Sequence, residues 1–264
     1  MNSPKVTILI SVYNGALTLD RCFESLQKQI FQDFEIVCIN DGSTDVTSAV
    51  IKKWKTVFQE RFHLIENTPG LGLTKSLNIG LDQASGTYTA RIDADDWWHR
   101  EKLEKQITFL TTHPDYGLIG CNYINITQGK KLPVTLKMTD TEIRKSIIQR
   151  NPFAHSCVIF DTTLVKSVGK YNENVRYGQD YDLWLRVLPE SKLYNLPEFL
   201  CYRSIDQGIS LEKQQAQMWQ CMKTQVKYIK KYNFSVSNYL YLIEPLIVIL
   251  SPNWVKNLKR KFLH

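Results

Sequence analysis

The chain lacks several features that would have placed it quickly, and each absence excludes a class. Its 264 residues hold 12 glycines and 9 prolines, too few for a collagen-like or low-complexity chain. Six cysteines stand at 22, 38, 121, 157, 201 and 221, none in a C-x-x-C pair. That spacing excludes a clustered zinc site or a dithiol redox motif and predicts reduced, mostly buried thiols in a cytoplasmic protein. No basic head with an apolar stretch opens the chain, so no secretory signal is expected and the sequons at Asn125 and Asn233 carry no weight. Ser11-Val12-Tyr13-Asn14-Gly15 offers one glycine after the first strand, which sets aside a dinucleotide oxidoreductase. G-x-x-x-x-G-K-[ST] is absent, which removes the P-loop enzymes. Tyr239 to Leu250 is strongly apolar but only 12 residues long, well short of the ~20 that span a bilayer.

Charge is present but unevenly placed. Lysine and arginine number 33 against 26 aspartates and glutamates, a net of +7. Residues 1–212 carry 24 basic and 25 acidic side chains, and residues 213–264 carry 9 and 1. The body is neutral and the tail is basic. A neutral body has no basic groove, so nucleic acid is not expected as a partner. At 43% hydrophobic and 22% charged the composition is that of a globular chain.

The first hundred residues alternate strand and helix. Val6 to Val12 is an apolar run broken only by Thr7 and Ser11, the mark of a buried parallel strand. Leu19, Cys22, Phe23, Leu26 and Ile30 follow at helical spacing. Glu35–Ile39, Phe62–Ile65 and Tyr88–Ile92 read as strands. Ser43 is the expected cap of a helix from about Asp45 to Phe58, and Leu73, Leu77, Leu81 and Ala84 mark another. Such alternation predicts a mainly parallel sheet, with ligands beyond the carboxyl ends of its strands. Further on, Tyr116–Ile126 reads as one or two strands and Thr139-Asp140-Thr141-Glu142 as a capping box. His155–Phe160 reads as a strand, and 180–188 and 212–231 as helices. The expected division is a catalytic domain at 1–212 and a basic, partly apolar helical tail at 213–264.

Three acidic stations stand after these elements. Asn40-Asp41-Gly42-Ser43-Thr44-Asp45 suits hydrogen bonding to a base or ribose, and equally ordinary turn chemistry. Asp93-Ala94-Asp95-Asp96 packs three carboxylates that repel one another. A divalent cation, Mg²⁺ or Mn²⁺, with diphosphate oxygens completing its shell, relieves that repulsion. Asp180-Tyr181-Asp182 opens the third. A carboxylate there caps a helix, and the helix N-terminus keeps it ionised as a general base requires. Trp97 and Trp98 either stack on a sugar or pack the acidic loop; Trp184 reads as core.

With Ser11-Val12-Tyr13-Asn14, Leu77-Asn78-Ile79-Gly80 and Ala90-Arg91-Ile92-Asp93-Ala94-Asp95-Asp96 in this order, and Asp180-Tyr181-Asp182-Leu183-Trp184-Leu185-Arg186 after them, residues 4–210 resemble the family 2 inverting glycosyltransferases. The resemblance implies a GT-A fold, an α/β nucleotide-diphospho-sugar transferase sheet flanked by helices. It implies that Tyr13, Asn14 and Asp41 lie against the nucleotide, that Asp93 contacts it, and that Asp95 ligates Mn²⁺ or Mg²⁺ on the diphosphate. Lys75 is a looser donor contact, and Asp180 is the implied catalytic base. His155 either faces the acceptor or is structural. Three positions depart from the pattern: Asn40 and Gln179 replace acidic residues, and Ile205 replaces the histidine of a Tyr-Arg-x-His segment.

The implied reaction moves a sugar from a nucleotide-sugar donor, with uridine the expected base, to a glycan acceptor. A lipid-linked acceptor in capsule, exopolysaccharide or O-antigen synthesis is expected from the tail. Trp254, Val255, Leu258 and Phe262 alternate there with Lys256, Lys259, Arg260 and Lys261. That mixture suits an anionic membrane surface, at the inner face of the cell membrane, or a core helix with a solvated end. A non-catalytic sugar-nucleotide binder and a metal-dependent nucleotidyltransferase are the rival readings; the second leaves Asp180 unexplained.

Overall fold

A computed structural model describes residues 3–205 and 211–251. Strand β1 (Val6–Val12) is buried along its whole length and lies between two parallel partners, β2 (Phe34–Asn40) and β4 (Tyr88–Arg91). Strand β3 (Phe62–Glu66) adds in parallel to β2. Alternate side chains serve two cores, as the pleat demands. Ile8, Ile10, Ile36 and Cys38 face one side, against helices α1 (Leu19–Gln27) and α2 (Thr47–Phe58). Leu9, Val37 and Ile39 face the other, against α3 (Leu73–Gln83). The first core is filled by Phe23, Trp54, Phe58 and Phe62, whose rings lie within 6.3 Å of one another where they pair.

The sheet continues through residues of the second half. Its order is β3-β2-β1-β4-β8-β6-β9-β5, with β7 off the path on β6. Here β5 is Trp97–Trp98, β6 Tyr116–Thr127, β7 Lys130–Val134, β8 Ile159–Asp161 and β9 Lys192–Ser204. Strands β6 and β9 run parallel, whereas β8 is antiparallel to both β4 and β6, and β5 is antiparallel to β9. The sheet is mixed and mostly parallel, as the alternation predicted, with the antiparallel strands added by its second half. Helix α4 (Lys102–Thr112) packs on the first core. Helices α5 (Asp140–Ser146), α6 (Thr162–Ser167) and α7 (Gln179–Val187) cover the second, where Trp184 is fully buried. Helix α8 (Leu211–Lys231) lays Tyr228 and Ile229 into that same core, and α9 (Ile243–Leu250) follows a 3-10 segment at Val236–Leu242.

Some local expectations change. Helix α1 ends at Gln27, so Ile30 lies beyond it and is exposed. Ser43 does not cap α2. Its hydroxyl accepts from the Asn14 backbone, and the Asp45 carboxylate accepts from Thr47 N instead. The predicted 155–160 strand is split into a 3-10 turn at His155–Cys157 and the short β8. The turn forms because Cys157 N reaches back to Ala154 O. The Thr139 capping box forms as predicted, with Glu142 reciprocating. Five cysteines are buried, Cys221 is half-buried, and all six are free thiols.

Candidate active site

The first station lies where β1 and β2 end. The Asn14 side chain joins the two loops: its Oδ1 accepts from Thr44 N at 2.8 Å and its Nδ2 donates to Thr44 Oγ1 at 3.3 Å. Asn14 takes a left-handed φ of 51°, a conformation asparagine tolerates. Tyr13 beside it is 62% exposed, so its ring is open to a ligand. Asp41 is buried and accepts four hydrogen bonds. Asn67 Nδ2, Leu71 N and Ser76 Oγ donate to Oδ1, and Gly72 N donates to Oδ2, at 2.8–2.9 Å. Burial alone would raise this carboxyl; the donors outweigh it and hold the group below its ordinary value. Asp41 therefore shapes the loop before α3, leaving spare acceptor capacity only on Oδ2. Gly42 is at φ +76°, and a Cβ there would sit 2.6 Å from Gly70 N. Lys75 is exposed in the first turn of α3.

The second station is the turn after β4. Arg91 is fully buried and pairs with the Asp93 carboxylate. Ser156 Oγ donates to Asp93 Oδ2 at 3.0 Å and accepts from Asp93 N at 3.0 Å. Burial would raise Asp93, but the Arg91 guanidinium overrides it and holds the carboxyl well below the usual range. Asp96 is buried, accepts from Ser204 N at 3.0 Å and faces Arg203 at 3.8 Å. Burial, with the charges of Asp93 and Asp95, pushes Asp96 up to about 7. Asp95 is the exposed member, raised by desolvation and then by Asp93. One oxygen from each of the three lies within 4.8 Å of the others. An all-oxygen donor set with mutual repulsion fits a hard divalent cation.

The tryptophans pack this loop. Trp97 stacks with Tyr202 at 5.4 Å and 8° and carries the Arg21 guanidinium 3.7 Å from its ring. Its ring is thus engaged in packing the acidic loop. Trp98 is buried, donates to Ser156 O at 2.7 Å and carries the Lys102 ammonium over its ring.

The third station opens α7. Asp180 stands in the first turn of the helix, and Asn151 Nδ2 donates to its Oδ2 at 2.8 Å. Burial raises this carboxyl above its ordinary value, while the Tyr181 N–H of the helix N-terminus and Asn151 favour the ionised form and oppose the shift. Asp182, two residues on, is structural. It is buried among Arg186, Lys227 and Tyr228 and ties α7 to α8. Asp180 lines a cavity of about 710 Å³ together with Asn151, His155 and Arg203. Its lining also includes Met218, Met222, Gln217 and Gln225 of α8, and the largely apolar Leu240, Tyr241, Pro245 and Val248. His155 Nε2 lies 2.7 Å from the Tyr171 hydroxyl, and burial drives its pKa well below the ordinary value. It is thus a neutral ring at the cavity edge.

Sequence reasoning missed Arg91, Ser156, Asn67, Ser76 and Asn151 as site-building residues. Arg91 had a signal, because an arginine inside a buried strand requires an acidic partner. Asn151, 29 positions before Asp180, had none.

The three carboxylates after β4 can hold a cation, and Arg203, which faces Asp96, also lines the cavity that holds Asp180, on a mixed α/β sheet. Residues 7–166 match the family model Glycosyl transferase family 2, and the chain belongs to that family. It is 35% identical over 199 residues to the amylovoran biosynthesis glycosyltransferase AmsE of Erwinia amylovora, covering 74% of each chain. It is 29% identical over 268 residues to the putative glycosyltransferase EpsE of Bacillus subtilis, covering 97% of this chain and 94% of that one. Among solved structures it resembles S. aureus TarS in complex with UDP-GlcNAc, with a TM-score of 0.72 at 19% identity, over 92% of this chain and 71% of TarS. It also resembles the mannosyltransferase PcManGT of Pyrobaculum calidifontis in complex with GDP-Man and Mn²⁺, with a TM-score of 0.65 at 17% identity, over 96% and 72%. The fold is GT-A, and the chain is a glycosyltransferase.

Proposed function

We propose that the chain is an inverting glycosyltransferase. It moves a sugar from a nucleotide-sugar donor, UDP-linked by preference, to a hydroxyl of a lipid-linked glycan in surface-polysaccharide synthesis. The observation that carries this reading is Asp180, held by Asn151 at 2.8 Å in a cavity that also reaches Arg203, the ion-pair partner of Asp96. The relative named for amylovoran biosynthesis supports the polymer class, and the structures holding UDP-GlcNAc and GDP-Man support the donor class.

In this reading Tyr13, Asn14, Asp41 and Lys75 form or frame the nucleotide pocket, and Asp93 contacts the donor. Asp95, with its neighbours, holds Mn²⁺ or Mg²⁺, which when bound neutralises charge on the leaving diphosphate. Asp180 takes the proton of the acceptor hydroxyl. The oxygen forms a bond to the anomeric carbon from the face opposite the diphosphate. The old carbon–oxygen bond breaks, and its electron pair leaves with the nucleoside diphosphate. A raised Asp180 pKa makes the carboxylate a stronger base than an ordinary aspartate. Residues 1–212 carry this chemistry, and α8 with the segment from Leu240 to Val248 walls the acceptor side.

Two measurements test it. Thermal stability with UDP, GDP, CDP and dTDP, each with and without Mn²⁺, should show one metal-dependent shift, about 2.7 kcal/mol at ~100 times Kd. That shift should vanish in Asp95→Asn. Asp180→Asn should keep the shift and lose about 10²–10⁴-fold in turnover. Unchanged turnover in Asp180→Asn refutes the base. A donor shift with no transfer to any glycan acceptor favours the non-catalytic binder.

A further inference from the structure

The segment that walls the acceptor cavity has a second apolar face. Leu240, Tyr241, Pro245 and Val248 line the cavity that contains Asp180. Val236, Ile247 and Leu250 are 80%, 59% and 71% exposed, and Ile243 is also exposed. Ile243, Ile247 and Leu250 are four and three residues apart in α9, so they share one helical face. Among the described residues, no other segment exposes such a run of large apolar side chains. A patch of this kind marks an interaction surface.

We infer that this face docks on an anionic lipid surface and so sets the mouth of the Asp180 cavity at the membrane. Charge selects the occupant. Residues 213–264 hold 9 basic and 1 acidic side chains. Exposed Lys230 and Lys231 close α8, and the sequence after α9 continues with Lys256, Lys259, Arg260 and Lys261 among Trp254, Leu258 and Phe262. A second copy would bring a like-charged tail against this one, whereas an anionic bilayer supplies both the counter-charge and the apolar depth. No helix among the described residues is long and apolar enough to cross a membrane, so the contact is one of lying on the surface. The consequence for catalysis rests on the acceptor reading above: an acceptor anchored in the same surface meets Asp180 without leaving it. The docking itself does not rest on that reading.

The test is co-sedimentation of the full chain with vesicles of phosphatidylcholine alone, or of phosphatidylcholine with an equal part of phosphatidylglycerol. The wild type is expected to pellet with the anionic vesicles and to be released by salt, since each basic side chain near such a surface strengthens binding about fivefold. Ile247→Ser with Leu250→Ser should weaken binding about tenfold or more. Both positions are exposed and outside the cavity lining, so the nucleotide melting shift should persist and vouch for the fold. Neutralising Lys256, Lys259, Arg260 and Lys261 to Gln should weaken anionic binding and leave the fold intact. Asp180→Asn should pellet like the wild type, which separates failure of docking from failure of the catalytic reading. A wild type that stays in solution, equal binding to neutral vesicles, or undiminished binding by the serine variant overturns the proposal. So does a doubled mass by light scattering without vesicles that the serine pair returns to one copy.

Discussion

Asn151→Ala tests the base at the one bond that tunes it. Asn151 Nδ2 donates to Asp180 Oδ2 at 2.8 Å, and this bond favours the ionised carboxylate. A hydrogen bond to a charged group is worth about 1.5–3 kcal/mol when fully buried. Asp180 is only half-buried at the cavity wall, and solvent screening brings the loss to about 1 kcal/mol. At 1.36 kcal/mol per pH unit, that is somewhat under about one unit. The sign is upward: the carboxyl is already raised by burial, and losing a donor to its charged form raises it further. The activity of a general base disappears as pH falls through its pKa. The acid limb of kcat/KM for the wild type should therefore lie above the ordinary aspartate value, and in Asn151→Ala it should move up by roughly half to one pH unit. The assay is kcat/KM against pH with one nucleotide-sugar donor and a fixed acceptor. Asn151→Asp places a like charge beside the base and should move the limb further in the same direction. A variant that loses rate evenly at every pH, with an unshifted limb, refutes the assignment of Asp180 as the titrating base.

Three further outcomes follow from the donor side. Asp41→Asn places an amide N–H against the Gly72 N–H donor and removes the charge that four donors share. It should cost about 2–3 kcal/mol in denaturant unfolding. Because the folded pKa is depressed from 3.8, the wild-type advantage is present above that value and is lost as pH falls through the folded one. The gap between wild type and variant should close in acid. Arg91→Leu strands Asp93 beside Asp95 and Asp96 and should cost about 3 kcal/mol, part of it recovered by adding Asp93→Asn; a full additive loss contradicts the pairing. Gly42→Ala must strain φ +76° and push Gly70 N away from 2.6 Å. It should lower stability by about 1–3 kcal/mol and weaken nucleotide binding in the same melting assay.

Local order and polarity were legible in the sequence. Val6–Val12 had to be a buried strand because Val6, Ile8, Ile10 and Val12 on one face and Leu9 on the other leave neither face polar enough to offer water. Thr139 and Glu142 dictated a capped helix start through contacts three residues apart. The acidic turn after β4 announced itself because three carboxylates so close are costly without a purpose. What escaped were interactions between residues far apart in the chain. Ser156, 63 positions after Asp93, reaches it only because β8 lies antiparallel to β4. Asp41 reads equally as a nucleotide contact or as turn chemistry, and the fold engages it largely with a loop that returns from β3. Sequence alone leaves Trp97 between sugar stacking and loop packing, and Tyr202, brought alongside by the β5–β9 pairing, with Arg21 over the ring, decides for packing. Asp180 had its helix start written in the sequence. Its raised pKa is a property of burial, and burial is set by everything that packs around α7. Residue types and spacing thus determine the strands, the helices and the groups available for chemistry, because those depend on neighbours along the chain. Which carboxylate is held, which stays exposed and which is made basic depends on partners that only the closed sheet and its covering helices bring within hydrogen-bond reach.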